Sequence, residues 1–223
     1  MPQPTKSTRK RRTPLTRERV LDAAMALADA GGIEGLTMRS LGKQLGVEAM
    51  SLYNHVANKE DIIDGLVDLV FAEIHVPEPG DWKAQMRLRA ISAREALNRH
   101  RWAVGLMEGR LNPGPATMRK HDAAMGCLRE AGFSFRDAVH AYSVQDAYIY
   151  GFALQERGLG FETPEESAQV IETQRANVPE MDDYPYLVET ARELARSGYD
   201  YETEFIFGLD LILDAVERYR TDG

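Results

Sequence analysis

Apolar residues recur along most of this chain at three- and four-residue spacing, the period of one face of an α-helix. The first such stripe consists of Val20, Leu21, Ala24, Leu27 and Ala28. It predicts a helix that begins at Leu15–Thr16 and ends at Gly31–Gly32, because glycine accepts the left-handed conformation that often closes a helix. No alternating apolar and polar run indicates a β-strand, so the pattern predicts an all-α protein.

Two short helices are predicted next. Thr37 can N-cap a helix whose buried face carries Leu41 and Leu45, and Gly46 ends that helix. After a three-residue turn, a second short helix is predicted over Ala49–His55. A helix, a glycine-containing turn and a second helix form a helix-turn-helix, so this segment is predicted to be one.

A longer fourth helix opens at Asn58, which stands in the capping-box relation to Asp61. Its predicted apolar side carries Ile62, Ile63, Leu66, Leu69 and Val70. Pro77, Pro79 and Gly80 then break the pattern. The sequence therefore predicts a disordered basic arm (1–14), a DNA-binding head (15–76, with the fourth helix as connector) and a larger helical body (77–223).

Every periodic segment of the body is also predicted to be helical. The first three predicted helices cover Asp81–Arg99, Arg101–Gly109 and the segment from Pro113-Gly114-Pro115 to Gly132. A fourth is capped by Ser134 and Asp137 and runs to Arg157, a fifth starts at Thr163-Pro164-Glu165-Glu166, and the last covers Glu202–Arg220. Pro179 and Pro185 are predicted to bracket a loop. The last helix is apolar around more than half of its girth, and such a surface indicates a partner.

The charge is distributed unevenly along the 223 residues, whose net charge is −8. Residues 1–61 hold ten basic and seven acidic side chains, whereas the remainder holds seventeen basic and twenty-eight acidic ones. All six charged side chains of Met1–Arg17 are basic. This asymmetry indicates a polyanion-binding end on an acidic body, or alternatively a solubilising tail.

Composition narrows the class of protein. The single cysteine, Cys127, excludes an internal disulfide and gives no metal-ligand cluster. No signal peptide is recognisable, and no apolar run approaches the ~20 residues that span a bilayer. We therefore expect a cytoplasmic protein without a membrane partner, a cofactor or a bound metal.

The second short helix carries the candidate chemistry for reading DNA. Leu52 and Val56 can hold it to the core while its other side chains face outward. The outward candidates are Ala49, Met50, Ser51, Tyr53, Asn54 and His55. Asparagine can pair bidentately with adenine, serine can bond a phosphate or a base, and methionine or alanine can contact a thymine methyl group. Lys59 stands where a phosphate would be held by charge and by a helix N-terminus.

Residues 15–75 resemble the DNA-binding domain of the tetracycline-repressor (TetR) family. The resemblance rests on the ungapped stretch LTRERVLDAAMALADAGGIEGLTMRSLGKQLGVEAMSLYNHVANKEDIID. It implies that Thr37 and Arg39 approach the DNA backbone or an outer base, that Ser51, Tyr53 and His55 contact the operator, and that Lys59 anchors a phosphate. Tetracycline repressors have Gln-Pro where this chain has Ala49-Met50, which leaves the docking mode intact and the operator sequence open.

Simpler roles stay open for several of these residues. Tyr53 could instead be half buried in the small core of the head. Arg39 and Lys59 could be ordinary surface charges. His55 has no partner at metal-ligand spacing, so it is not predicted to bind a metal.

The body also resembles the ligand-binding and dimerisation domain of the tetracycline-repressor branch. The stretches CLREAGFSFRDAVHAYSVQDAYIYGFALQE and FIFGLDLILDAVE carry this similarity. It implies a homodimer formed through about 134–157 and 202–220, which would place two recognition helices in successive major grooves of a pseudo-palindromic operator. It also implies repression that a small-molecule effector relieves through the helix Asn58–His75.

The effector pocket is predicted from residue type and from the resemblance. Candidate lining residues are His75, Trp102, Met107, Met118, Met125, Tyr142, Tyr148 and Phe152. Side chains of these types are more often ordinary core residues. His75 aligns with a pocket histidine of the tetracycline repressors, whereas Met107 stands where they have a metal-binding histidine. The resemblance therefore predicts an organic, largely apolar effector bound without a metal.

Two other functions would require different features of the sequence. An enzyme would need a nucleophile–base pair, a metal-ligand spacing or a phosphate-binding loop, and the sequence shows none of these. A ligand-independent architectural DNA-binding protein would use the basic arm without sequence preference. Deletion of residues 1–14 separates that function from a sequence-specific regulator, which would keep specific binding.

Overall fold

The computed structural model describes residues 14–158, 166, 169–170, 173, 183–197 and 200–220. Nine α-helices lie within these residues and no strand occurs among them, which confirms the predicted all-α class. The helices are α1 (Arg17–Gly31), α2 (Met38–Leu45), α3 (Ala49–Leu52), α4 (Lys59–Glu73), α5 (Trp82–Arg99), α6 (Pro115–Glu130), α7 (Phe135–Gly158), α8 (Pro185–Ser197) and α9 (Tyr201–Glu217). The basic arm up to residue 13, the helix start at Thr163 and the loop at Pro179 lie outside the described residues.

The chain divides into two compact units, residues 1–67 and 68–223. In the first unit, the Thr16 hydroxyl caps α1 by accepting from the Arg19 N–H at 3.3 Å. Val20, Ala24 and Ala28 are buried along one face of α1, as the four-residue spacing predicts.

The start and end of α2 are set by the residues that the sequence indicated. Thr37 and Ser40 form a reciprocal capping box, in which each side chain accepts from the other's backbone N–H. Gly46 closes α2 in the left-handed conformation with φ of 67°. Leu41 is fully buried, whereas Leu45 is only partly buried.

The helix predicted over Ala49–His55 is shorter in the structure. α3 ends at Leu52, and residues 53–55 form a turn. The His55 N–H donates to the Leu52 carbonyl at 2.8 Å, an i to i+3 bond that tightens the last turn. The chain then turns directly into α4, which leaves no room for a further helical turn.

Two predictions about α4 need correction. The Asn58 side chain does accept from the Asp61 N–H, but the Asp61 carboxylate accepts from the Ala57 N–H rather than from Asn58, so the capping box is only half formed. Leu69, assigned to the buried side of α4, is 37% exposed. The apolar residues of α4 therefore cover more of the helix surface than packs against the rest of the chain.

One further prediction in the body is wrong. The helix predicted over Arg101–Gly109 is a 3-10 turn at Val104–Leu106, because Gly105 and Gly109 weaken a helix and Gly109 takes φ of 74°. In addition, α8 was not predicted; it begins at Pro185, where the predicted loop ends. Proline is well suited to the first helical position, where its missing N–H costs nothing.

The core of residues 68–223 is formed mainly by α5, α6, α7 and α9. Its fully buried large side chains are Phe71, Met86, Leu97, Leu128, Phe133, Ile149 and Phe205. Ion pairs hold α9 against α5: Lys83 pairs with Asp214 and with Glu217 (3.1 Å), and Arg87 pairs with Asp210 (2.9 Å). No helix in the described part of the chain is long and apolar enough to cross a membrane.

Candidate nucleic-acid interface and ligand-binding interior

α2 and the turn that leads into α3 approach each other closely at Gly42. The Val47 N–H donates to the Gly42 carbonyl at 2.9 Å. A Cβ atom at Gly42 would stand only 2.9 Å from the Val47 carbonyl oxygen. Together with the left-handed Gly46, this contact fixes how α3 leaves α2, as a helix-turn-helix requires.

The residues that the sequence assigned to DNA contact differ in exposure. Met50 is 76% exposed and Tyr53 is 47% exposed, so about half of the Tyr53 surface is open to a partner and about half is covered. Thr37, Arg39 and Asn54 are also exposed, whereas Ala49, Ser51 and His55 are partly buried. Leu52 and Val56 are buried and hold the segment to the rest of the head. The side chains available to a partner are therefore a mixture of hydrogen-bonding, aromatic and thioether groups.

An ion pair that the sequence analysis missed braces this segment. The Arg17 guanidinium donates to both oxygens of Asp61, at 2.9 and 2.7 Å, and Asp61 also accepts from the Ala57 N–H at 2.8 Å. The hydrogen bond from Arg17 lowers the pKa of Asp61 below its ordinary value. The start of α1 is thereby joined to the start of α4, just after the turn at residues 53–55. Arg17 and Asp61 are 44 residues apart, so no local sequence pattern predicts the pair.

Lys59 makes an internal contact in the structure. Its Nζ donates to the Ile33 carbonyl at 3.3 Å, and its side chain is partly buried. The ammonium group thus helps to hold the 3-10 turn Ile33–Gly35 beside the start of α4. Its predicted contact with a phosphate stays a prediction.

The eight residues predicted to line an effector pocket differ in their contacts and exposure. Tyr148 and Phe152 pack against Phe205, with ring centroids 5.3 and 5.1 Å apart, and so join α7 to α9. His75 hydrogen-bonds Gln85 through its ring at 2.8 Å. Trp102 and Met107 are buried, Met125 is partly exposed, and Met118 is 57% exposed.

Tyr142 lies in a different cluster, which contains a buried ion pair that the sequence analysis missed. Arg89 donates to Asp146 Oδ1 at 2.5 Å and to Gln145 Oε1 at 2.7 Å. Gln145 in turn donates to the Met86 carbonyl at 3.0 Å. The Arg89 guanidinium lies 4.4 Å from the centre of the Tyr142 ring. Such a cluster needs every polar atom matched if it is not to cost stability.

An aromatic row extends from this cluster to α4. The Tyr142 ring contacts His121 of α6 edge-on at 5.4 Å, and His121 contacts Phe71 of α4 at 5.6 Å. Three bonds to Asp68 also tie α4 to the start of α6: Asp68 accepts from the Thr117 N–H and hydroxyl, at 2.8 and 2.9 Å, and from the Ala116 N–H at 3.3 Å. The interior side chains of the body are therefore in contact with the carboxyl-terminal part of α4.

The described residues of the body line cavities of different character, of which two stand out. One, of about 630 Å³, is lined mainly by polar side chains, including Arg99, Arg101, Arg157 and Glu156. The other, of about 370 Å³, is an apolar groove along α7 and α9. None of the eight predicted pocket residues lines either cavity. No three His, Cys, Asp or Glu side chains in the described ranges converge as a metal site would require.

Comparisons with known proteins cover both parts of the chain. A family model described as bacterial regulatory proteins, tetR family, matches residues 20–66. A second model, described as tetracyclin repressor-like, C-terminal domain, matches residues 76–220. The class D tetracycline repressor of Escherichia coli is 32% identical over 207 residues, which cover 91% of this chain and 89% of that repressor. The transcriptional repressor DrrR1 of Streptomyces coeruleorubidus is 29% identical over 214 residues, covering 91% and 77% of the two chains.

Solved structures agree with these matches. The TetR-family protein ActR of Streptomyces coelicolor, in complex with actinorhodin, superimposes with a TM-score of 0.76 at 26% identity and covers 94% of this chain and 100% of its own. A TetR variant of Acinetobacter baumannii in complex with minocycline has a TM-score of 0.73 at 27% identity, covering 94% and 96%. With its helix-turn-helix head and its helical body both matched, the chain is a DNA-binding transcriptional regulator of the TetR family.

Proposed function

We propose that this chain is a homodimeric repressor that binds a pseudo-palindromic operator and leaves it when a small organic effector binds within the body. The observation that carries the proposal is the exposed surface of the helix-turn-helix. Met50, Tyr53 and Asn54 point away from the buried Leu52 and Val56 and have the residue types that read base edges. Arg39 and Lys59 supply charge for backbone contacts.

Apolar side chains left exposed on α7 and α9 support dimerisation. In α9, Phe205, Leu209 and Leu213 are buried at four-residue spacing, whereas Phe207 and Leu211 on another face are 64% and 56% exposed. Phe135, Val139, Val144 and Leu154 of α7 and Tyr219, just beyond α9, are exposed as well. The apolar groove along α7 and α9 joins these surfaces. A second copy of the chain would remove this apolar area from water, and two copies would present two recognition helices to one palindrome.

The relatives support a small-molecule effector. Structures of ActR hold actinorhodin or (S)-DNPA, and that of the Acinetobacter TetR variant holds minocycline. An effector can release DNA only if it binds the DNA-free arrangement more tightly than the DNA-bound one. Interior side chains of the body contact Asp68 and Phe71, near the carboxyl-terminal end of α4. Since α4 begins in the head, an effector bound in the body can act on the head through this helix.

Selection of duplexes from a randomised library tests the DNA-binding part of the proposal. The wild-type dimer is expected to enrich a pseudo-palindromic sequence and to bind it at least about a thousandfold more tightly than random duplex. Sedimentation of the complex should give two chains per duplex or a multiple of two. Equal affinity for selected and random duplexes would favour the architectural function instead.

Two variants separate base reading from phosphate contact. Asn54→Ala should relax the preference at one base pair in each half-site, which costs about 1–3 kcal/mol on the selected duplex. Arg39→Ala should weaken binding to all sequences alike and reduce its salt dependence. Asn112→Ala, at an exposed loop position in the body, is the matched control and should leave both affinity and selected sequence unchanged.

A further inference from the structure

The larger cavity of the body concentrates positive charge in an acidic part of the chain. Three of the ten described residues that line its 630 Å³ are arginines, namely Arg99, Arg101 and Arg157. Residues 62–223 as a whole carry the opposite balance, with twenty-eight acidic and seventeen basic side chains. The volume lies within the range of about 300–1,000 Å³ that small-molecule sites occupy. A ligand-sized space with a local positive field favours an anionic ligand.

Two glutamates, Glu156 and Glu166, also line this cavity, which leaves its described lining with three positive and two negative side chains. Glu156 is neutralised by an arginine outside that lining. Arg94 donates to both Glu156 oxygens, at 3.0 and 2.5 Å. The Arg94 guanidinium is held in turn over the rings of Phe152 and Phe205, at 5.7 and 5.2 Å from their centres. Glu156 therefore does little to offset the arginines of the cavity.

Arg101 and Arg157 lie next to each other at the cavity. Arg157 Nη1 donates to the Arg101 carbonyl at 3.3 Å, and this uncharged acceptor leaves the charge of the guanidinium in place. Both arginines are exposed, and a guanidinium presents the pair of N–H donors that matches a carboxylate. The buried apolar side chains of Leu97 and Ala153 and the ring of Tyr201 belong to the same lining. A molecule with a carboxylate on an apolar ring system would match both kinds of surface.

Arg99 connects this cavity to α4. Its Nε and Nη2 donate to Glu73 Oε2 at 2.9 and 2.6 Å, and Glu73 is the last residue of α4. The two side chains are 53% and 35% exposed, and an ion pair in contact with water is weak. A ligand carboxylate can therefore take the place of Glu73 on Arg99. An anion in the cavity would compete with the end of α4 for the same guanidinium.

We propose that this cavity binds the effector, that the effector is an organic carboxylate with an apolar ring system, and that it displaces Glu73 from Arg99. This rests on the proposed function, namely that a small molecule bound in the body controls DNA binding. It adds a negatively charged group to the organic, largely apolar effector expected from the sequence.

A matched pair of fluorescent probes, anthracene-2-carboxylate and anthracene-2-carboxamide, tests the charge preference on the full-length protein. The two probes share a ring system and nearly the same shape, but only the first is an anion. Wild type is expected to bind the carboxylate at least about tenfold more tightly than the amide, as one charge-assisted hydrogen bond implies. Added salt should weaken binding of the carboxylate and leave that of the amide unchanged.

Arginine variants locate the anion. Arg101→Gln and Arg157→Gln should each lower the ratio of the two dissociation constants several-fold, and the double variant should bring it close to one. Arg119→Gln removes an exposed arginine of α6 that is outside the described lining, so it controls for the lost charge and should keep the wild-type ratio. Damage to the fold would weaken both probes together, and thermal unfolding shows whether each variant is folded.

Glu73→Gln tests the competition for Arg99. Loss of the competing carboxylate should tighten binding of anthracene-2-carboxylate several-fold and leave the amide unchanged. Without probe, the same variant should bind the selected operator more weakly than wild type, because the end of α4 is already released from Arg99. Glu95→Gln, at an exposed glutamate of α5 one helical turn from Arg99, is the matched control and should change neither affinity.

The outcomes separate failure of the site from failure of the proposed function. Equal binding of the two probes by wild type, binding of neither, or an unchanged ratio in the double arginine variant would overturn the anion site. Unchanged binding of probe and operator by Glu73→Gln would overturn the exchange at Arg99. The carboxylate should release wild type from its operator near its dissociation constant, and selective binding without release would overturn the effector assignment. Absence of any sequence-specific DNA binding by wild type would count against the proposed function itself.

Discussion

Replacement of Gly42 by alanine tests how the helix-turn-helix keeps its geometry. The added Cβ would stand 2.9 Å from the Val47 carbonyl oxygen, 3.2 Å from the Ala49 nitrogen and 3.3 Å from its Cα. All three are backbone atoms, so no side-chain rotation relieves the contact. α2 and the turn into α3 must move apart, which also strains the 2.9 Å bond from the Val47 N–H to the Gly42 carbonyl.

The magnitude follows from two opposing terms. Alanine in place of glycine inside a helix contributes about 1 kcal/mol of stability. Overpacking a tight contact costs about 1–3 kcal/mol, and weakening the hydrogen bond at Val47 adds roughly 1 kcal/mol. The net effect expected for Gly42→Ala is a destabilisation of the head by about 1–3 kcal/mol, which corresponds to roughly five- to 150-fold more frequent local opening.

Hydrogen–deuterium exchange with mass spectrometry, on the full-length protein, measures this effect locally. Peptides from residues 38–52 should exchange at least about fivefold faster in Gly42→Ala, while peptides from α6 and α7 should be unchanged. Both tryptophans, Trp82 and Trp102, lie in residues 68–223, so urea unfolding followed by tryptophan fluorescence should also be unchanged. Affinity for the selected operator should fall, because α3 no longer leaves α2 at its native angle.

Gly126→Ala is the matched control. Gly126 lies within α6, and an added Cβ there meets no atom within 4 Å. Only the helix-propensity gain of about 1 kcal/mol remains, so exchange in α6 should slow down. Two results together would contradict this reasoning: hydrogen exchange in residues 38–52 of Gly42→Ala that is no faster than in wild type, and unchanged affinity for the operator. The close approach at Gly42 would then not set the geometry of the head.

Two further variants test buried and half-buried charges. Asp61→Asn removes the charge that pairs with Arg17 and should destabilise the start of α4 by roughly 0.5–1 kcal/mol, since the pair is partly exposed. Because the folded state lowers the pKa of Asp61, its contribution is complete at neutral pH and is lost as the pH falls through that lowered pKa. The amide hydrogens of residues 57–63 should therefore exchange faster in Asp61→Asn than in wild type at neutral pH, and the two exchange rates should become equal in acid. Lys120→Met should raise the thermal unfolding midpoint of the body, because Lys120 is 7% exposed, pairs with no carboxylate among the described residues, and has its pKa lowered by burial. Lys83→Met, which removes a lysine paired with Asp214 and Glu217, should not raise it.

The DNA-binding surface could be predicted from the sequence because its signals are local. Thr37 caps α2 across three residues, Gly46 closes it, and the spacing of Leu52 and Val56 separates the buried face from the exposed one. The recognition helix was nevertheless predicted too long, since residues 53–55 have no helix breaker and the turn into α4 ends α3 earlier. Helix α8 was not predicted, because Pro185 marks the end of a loop as readily as it marks the first position of a helix.

The buried polar cluster of the body could not be found in the same way. Arg89 and Asp146 are 57 residues apart, and each looks like a charge on an amphipathic helix until α5 and α7 are brought together. Residue type and the family resemblance selected the pocket candidates, and of these only Tyr142 belongs to the buried polar cluster. Which polar atoms lack partners depends on every neighbour at once, so it appears only in the folded chain.

The sequence by itself determined the helical class, the caps and the glycines of the helix-turn-helix, and the family, because these depend on residues within a few positions of each other or on a contiguous pattern. Tertiary structure alone decided which charges are buried, as for Arg89 with Asp146, and which are braced across the head, as for Arg17 with Asp61. The physical reason is that burial and hydrogen-bond matching are properties of a site built from distant segments. A side chain's own identity fixes what it can bond, and the fold fixes what it meets.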